Sequence, residues 1–242
     1  GVIASAAALL IASGGGAPDT SLWTSTEAAI AAGTVVAALA VMPLDERIRD
    51  AADGARSEAS RGFAAMAKPI GDGYVTVPVA AGLWWLGADG RFPRLARASR
   101  DGLESWLLSG LVVQVAKYSL DRERPSPVDG SSRRWHGFTL SDRNLSMPSG
   151  HSSVAWAMLS SYAMEFSDRP WLAASLYAVA ASTSLSRVHD QDHWMSDVVA
   201  GAGIGFLSSR LVRNWHSRGG SRTVVVPAWL DGRSGVTVVS VF

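Results

Sequence analysis

Three short segments of this chain carry residues able to hold and cleave a phosphate ester. They are Lys117-x6-Arg124-Pro125, Pro148-Ser149-Gly150-His151 and Ser186-Arg187-x5-His193-x3-Asp197, all within 81 residues of a 242-residue chain. Together they bring three cations, a glycine-containing turn and two histidines, one of them four residues before a carboxylate. A dianionic tetrahedral group is the natural tenant of such a set. Its oxygens are met by fixed cations and backbone N–H groups, and an imidazole stands ready to attack or to pass a proton.

Lys117 closes the apolar run 106–116, and Arg124 follows seven residues later. A helix continued through both would set the two cations about two turns apart on one face. Pro125 stops a helix and disfavours helical geometry at the residue before it. Arg124 is therefore expected at a helix end or in the first loop residue, where its planar fork can take two phosphate oxygens. The blander reading of this segment is a solvated basic helix end, with Lys117, Arg122 and Arg124 among Asp121 and Glu123. Met147-Pro148-Ser149-Gly150-His151 precedes the apolar stretch 152–166 and reads as a tight turn opening a helix. The free N–H groups there bind anions, Ser149 can donate its hydroxyl, Gly150 allows close backbone approach, and His151 stands at the mouth to protonate a leaving oxygen.

His193 and Asp197 lie one helical turn apart, so the carboxylate can orient one imidazole nitrogen and leave the other free as a nucleophile. Ser186-Arg187 closes the apolar run 170–185 and returns a third cation to the same place. His189, Asp190 and Asp192 read as loop solvation, and His136 and His216 lack a partner at catalytic spacing. Each segment alone also fits a blander reading, as a basic helix end, an ordinary N-cap or a surface His–Asp pair. Eleven specified residues in fixed order and spacing outweigh those readings.

The three segments resemble the signature K-x6-RP, PSGH and SR-x5-H-x3-D of the type 2 phosphatidic acid phosphatase and vanadium haloperoxidase superfamily, and all eleven positions match. The resemblance covers roughly 103–212, and the rest agrees only in hydrophobic layout. It implies that His193 attacks phosphorus to form a phosphohistidine, that Asp197 orients it, and that His151 protonates the departing oxygen and then activates water. Lys117, Arg124, Ser149, Gly150 and Arg187 would hold the phosphate oxygens. Neither metal nor other cofactor is implied.

The elements that must position these residues are six apolar segments, 28–43, 74–88, 103–116, 152–166, 170–185 and 194–212, matching the six-helix bundle the resemblance implies. Most are 14–16 residues, about 21–24 Å as helix, against a hydrocarbon core of roughly 30 Å. Charged residues are 18% of the chain and mean hydropathy is +0.14, a composition that leans toward a membrane without the strongly positive value of a pore. Ten tryptophans, among them Trp84, Trp85, Trp106, Trp171 and Trp194 near segment ends, suit either an interfacial belt or a core. Net charge +1 with no basic, aromatic-interleaved stripe argues against nucleic acid, and the absence of cysteine excludes disulfides and thiolate zinc sites. Arg91, Arg94, Arg97, Arg100, Arg210, Arg213, Arg218 and Arg222 flank the side away from the motifs, whereas 44–73 balances its bases with acids. By the positive-inside rule the motif side then faces the periplasm or cell exterior.

The expected organisation is a signal-like or truncated segment over 1–20, an all-α domain over 21–215 and a tail over 216–242 whose Val-rich runs flank Asp231-Gly232-Arg233-Ser234-Gly235 as a β-hairpin. Within the domain, 44–66 reads as an amphipathic polar helix. The expected function is metal-independent hydrolysis of a lipid phosphate monoester or diphosphate by an enzyme of a bacterial-type inner membrane. The alternatives are a soluble secreted acid phosphatase, a vanadate-dependent haloperoxidase, for which the chain is short, and a non-catalytic membrane scaffold. The sequence leaves the particular lipid and the oligomeric state open.

Overall fold

The structure is a computed structural model that describes residues 22–125, 130–138 and 144–218, together with the backbone of 223–230 and 233–240. The expected leader-like segment 1–20 lies outside the described residues. Six long helices follow the six apolar segments: α1 (Ser25–Val41), α4 (Gly73–Gly87), α5 (Pro93–Leu120), α6 (Gly150–Glu165), α7 (Pro170–His189) and α8 (Met195–Ser217). Between α1 and α4 run two shorter helices, α2 (Asp45–Gly54) and α3 (Glu58–Ala67). The single polar helix expected over 44–66 is thus broken at Arg56-Ser57, where Ser57 turns extended and caps α3 by accepting from Ser60 N–H. In the tail, backbone strands β1 (Thr223–Leu230) and β2 (Arg233–Ser240) run antiparallel. They take no part in positioning the site.

The helix ends follow local chemistry. Thr24 caps α1, with Glu27 reaching back to the Thr24 N–H. Asp72 caps α4 through Tyr74 N–H, and prolines open α5 and α7. Helix α5 ends at Leu120 because Asp121 turns left-handed at φ 43°. That end comes four residues before Arg124, so the cations of the first motif do not share a helical face. The helices also outrun the apolar segments, since α5 has 28 residues and α8 has 23. Charged residues such as Arg94, Arg97 and Arg213 join their ends, and at ~1.5 Å per residue both exceed a roughly 30 Å hydrocarbon core.

The bundle is packed inside out relative to a soluble protein. Small side chains fill its interior: Ala98, Ala155, Ala157, Ala180, Ser105, Ser152, Ser160 and Ser196 are all buried. Large apolar ones face outward, including Val35, Val36 and Leu39 on α1, Val79, Trp85 and Leu86 on α4, Leu111, Val112 and Val115 on α5, and Trp171 and Leu185 on α7. Small residues let backbones approach closely, as where α6 meets α8. A Cβ on Gly201 would come 2.3 Å from Ser149 O, and one on Gly205 would come 2.3 Å from Ser153 O. Hydroxyls then bond across the gap, from Ser152 to Val198 O at 2.8 Å and from Ser209 to Ala157 O at 2.8 Å. Of the tryptophans, Trp85 and Trp171 face outward as a belt would require. Trp194 is buried, and its indole donates to Glu123 O at 2.7 Å.

Candidate active site

One end of the bundle collects the C-termini of α5 and α7, the N-termini of α6 and α8, and the turn Lys68–Gly71 before α4. The three motifs are stitched together there by backbone. Ser149 N–H donates to Asp197 O at 2.9 Å, joining the second motif to the third, and the Trp194 indole bond joins the third to the first. Arg124 sits in the loop after α5, donating from Nε to Asn144 O at 2.9 Å and from Nη1 to Asp192 O at 3.3 Å. Lys117, buried on the last turns of α5, donates to Leu145 O.

Lys117 and Arg124 lie within electrostatic range of each other and of His193, Arg124 of Arg187, and His151 of Arg187 and His193. The structure thus brings all three cations and both histidines to one place. Arg187 is buried and has two ion pairs, from Nη2 to Asp192 and, at 3.9 Å, from Nη1 to Asp190. Among the described residues its Nε and Nη1 are buried with no hydrogen-bond partner. A buried guanidinium with idle donors is costly unless an anion comes to meet it. Ser149 caps α6, its oxygen accepting the Ser152 N–H at 3.5 Å, which leaves its own hydroxyl hydrogen free. Beside it, a side-chain carbon on Gly150 would meet nothing within 4 Å, so the first turn of α6 is open to an incoming oxyanion.

His193 is buried, with Nδ1 3.7 Å from Asp197 Oδ2, longer than a hydrogen bond. Burial pushes the His193 imidazole below its ordinary value, outweighing the opposite pull of Asp197, so the ring is neutral. A neutral ring whose Nδ1 faces a carboxylate presents Nε2 as its nucleophilic atom.

Asp197 is held on every other side. Oδ1 accepts from Arg122 Nη1 at 2.6 Å, and Oδ2 accepts from the Ser146 hydroxyl at 2.6 Å and from Trp194 N–H at 2.9 Å. Arg122 is fully buried, against the blander reading of this segment as a solvated basic helix end, and sequence reasoning gave it no role in the site. Asp192 is likewise no solvated loop acid, since it pairs with Arg187, and the His189 ring bonds Ser60 at 3.1 Å. His216 does have a partner, Glu104 at 2.7 Å, at the far end of the bundle.

A cavity of about 430 Å³ leads into the site, lined by Asp72 and Tyr74 at the start of α4, Val113, Gln114 and Lys117 of α5, and His151 of α6. Tyr74 is 93% exposed, so the cavity reaches the surface there. Gly71 forms part of its wall and packs against His151, where a Cβ would come 2.7 Å from His151 O. No group of His, Cys, Asp and Glu among the described residues is arranged to hold a metal ion.

Residues 102–220 match the model of the PAP2 superfamily, a span holding all eleven motif positions and both histidines of the site. This region is a PAP2 superfamily domain. The PAP2 region is similar to the lipid A 1-phosphatase of Porphyromonas gingivalis, 36% identical over 112 residues. That alignment covers 46% of this chain, and the chain spans only 22% of that relative's length. The PAP2 fold is also that of a transmembrane phosphatidylglycerolphosphate phosphatase from Bacillus subtilis, with TM-score 0.63, 21% identity, and 80% of this chain and 96% of that one covered. LpxE of Aquifex aeolicus is similar too, with TM-score 0.55, 19% identity and 70% and 94% coverage.

Proposed function

We propose that this PAP2 protein is an integral membrane phosphatase that hydrolyses a lipid phosphate monoester or diphosphate through a phosphohistidine on His193. One observation carries the lipid reading. The cavity that starts at Lys117 and His151 comes to the surface at Tyr74, between helices whose outer faces carry Val75, Val79, Leu111, Val112 and Val115. A headgroup entering there keeps its acyl chains against apolar helix faces, a geometry a water-soluble ester does not need. The phosphatase activities in the names of the similar proteins support the same class of substrate.

In this reaction His193 Nε2 attacks phosphorus while Lys117, Arg124, Arg187, Ser149 and the N–H groups at Gly150 take the charge on the equatorial oxygens. The P–O bond to the lipid breaks as the N–P bond forms, and His151 gives its proton to the departing oxygen. Water deprotonated by His151 then attacks the phosphohistidine, the N–P bond breaks and inorganic phosphate leaves. The catalytic unit is the domain we assign to 21–215, although α8 continues to Ser217.

The membrane reading rests on the inverted packing and on helix length. By length and composition one described run, Ser25–Gly54, is apolar enough to cross a membrane, and little of it is buried. Arg91, Arg94, Arg97, Arg100 and Arg169 cluster at the short turns of the far end, so that end faces the cytoplasm and the site faces the periplasm or exterior.

The test is phosphate release by detergent-purified protein from phosphatidate, phosphatidylglycerol phosphate, undecaprenyl diphosphate and lipid A, with p-nitrophenyl phosphate as the soluble control. Release from at least one lipid, surviving EDTA and blocked by vanadate, is expected. Release from the soluble ester alone, with protein in the supernatant after alkaline carbonate extraction, would mark a secreted acid phosphatase instead. Loss on chelation with rescue by Mg²⁺ would overturn the metal-free mechanism.

A further inference from the structure

We infer that Asp45 and Arg122 are positioning residues for the His193–Asp197 pair, forming a buried charge chain that keeps Asp197 ionised and aimed. The inference rests on the phosphatase reading above and adds to it a residue of α2, outside the matched span 102–220.

Arg122 and Asp45 are both without measurable exposure at their side chains. The Arg122 guanidinium lies between the rings of Trp135 and Trp194, at 4.8 Å and 5.7 Å from their centroids. Its Nη1 donates to Asp197 Oδ1 and its Nη2 to Asp45 Oδ2 at 2.7 Å. The edge left over is filled by Ser132 O, which accepts from Nε at 3.0 Å and Nη2 at 2.8 Å. Ser196 bridges the chain, its hydroxyl accepting from Arg122 Nη1 at 2.7 Å and donating to Asp45 Oδ2 at 2.5 Å, while its N–H donates to Asp45 Oδ1 at 2.9 Å. The arrangement uses every good direction of the fork, so the guanidinium cannot turn.

Charge explains why a second carboxylate is present. With Asp197 alone, Arg122 would neutralise the anion that must stabilise positive charge on His193 as it attacks phosphorus. Asp45 supplies the counter-charge to Arg122, and the Asp45–Arg122–Asp197 chain carries a net negative charge toward His193. The other charges facing His193 and His151 are Lys117 from α5, Arg124 and Asp192 from the loops, Arg187 from α7, Lys68 from the turn before α4, and Asp72 at the start of α4. Most of these are cationic. The Asp45 anion offsets that bias on the side of His193 away from the phosphate.

The test uses the full-length protein in detergent with whichever lipid phosphate the parent cleaves. Asp45→Asn keeps the shape and removes the charge. It should lower kcat at least about tenfold with KM little changed, and move the acid limb of the kcat/KM profile down by about one pH unit, because the site becomes more positive and the His193 imidazolium less stable. Neutralising both partners in Asp45→Asn/Arg122→Gln should return the limb toward the parent position, an outcome a purely structural role would not produce. If Asp45→Asn does not fold, Ser196→Ala decides, since it removes the bridge and keeps both charges. A several-fold fall in kcat at unchanged KM supports the inference, and parent-like kinetics overturns it. A folded Asp45→Asn with parent kcat and an unmoved limb overturns it as well. An inactive parent would instead sink the phosphatase reading, and the two failures are distinct.

Discussion

The two ends of the bundle are built from the same residue types and treat charge in opposite ways. At the far end cations close on acids: Arg97 on Glu165 at 2.7 Å, Arg94 on Asp168, Arg210 on Glu27 at 2.8 Å, and His216 on Glu104 at 2.7 Å. At the motif end one arginine, Arg122, is saturated with partners, while among the described residues Arg187 has two buried nitrogens with no hydrogen bond and Lys117 hydrogen-bonds only a carbonyl. Ion pairing at the far end ties helices together, and its more exposed pairs, such as Arg97 with Glu165, contribute little. A buried cation with idle donors destabilises the empty protein, and an anion that meets those donors relieves the cost. Charge alone does not distinguish the two ends; idle donors do.

Substitutions sharpen this contrast, and the largest effect falls on the nucleophile. His193→Ala should lower phosphate release by about a thousandfold or more while leaving the protein folded, because the attacking nitrogen is gone and the cation cradle stays. Near-parent turnover would break the covalent mechanism. Because burial holds the His193 imidazole below its usual value, it stays neutral as pH falls through the ordinary range. The acid limb of kcat/KM should therefore lie below about 6.5. A limb above neutrality would mean that Asp197, not burial, dominates the ring.

Next come paired arginine deletions. Arg187→Ala should lower kcat/KM by about a hundred- to a thousandfold, the scale for one lost transition-state donor. Arg97→Ala at the far end should change it less than about twofold, since an exposed pair contributes so little. Equal effects from the two would erase the distinction between the ends. Gly71→Ala tests the wall of the cavity, because its Cβ would press on His151 O and on Thr183 Cγ2, 2.8 Å away. A roughly tenfold loss of kcat is expected as His151 is displaced, since catalytic geometry tolerates little misplacement.

Much of the motif end was legible because its residues lie in three compact runs whose spacing is chemically constrained. The six helices were legible because each holds an apolar segment, although their true ends were hidden where Arg94, Asp101 or Arg213 continue a helix that hydropathy alone would stop. Arg122 was missed because Asp-Arg-Glu-Arg-Pro has one appearance whether solvated or buried. Its partner Asp45 is 77 residues away and on another helix, so nothing local couples them. The Gly201–Gly205 seam carries a period of four, the mark of close helix approach, yet glycine content alone does not say which helix comes near.

The smallest expected effect makes the same chemical change at the end without a site. Glu27→Gln removes one buried carboxylate charge, just as Asp197→Asn does, and its partners are comparably strong: Arg210 at 2.8 Å and 3.0 Å, and Thr24 N–H at 3.1 Å. The difference lies in what each carboxylate serves. In the proposed mechanism Asp197 orients the attacking imidazole, so its amide should lower kcat substantially, though less than loss of His193 itself. Glu27 fastens the first turn of α1 to α8, and the 17 residues of α1 put that turn about 25 Å from the motif end. Its amide keeps the shape and one acceptor, so thermal stability should fall by roughly 2–4 °C, as for a loss of ~1 kcal/mol in a domain of this size, while kcat and KM stay within about twofold of parent. Thermal denaturation in detergent beside steady-state kinetics reads both quantities. A kcat loss in Glu27→Gln rivalling that of Asp197→Asn would mean that the ends are coupled through α1 and α8, and that the scaffold sets the geometry of the site from the opposite side of the bundle.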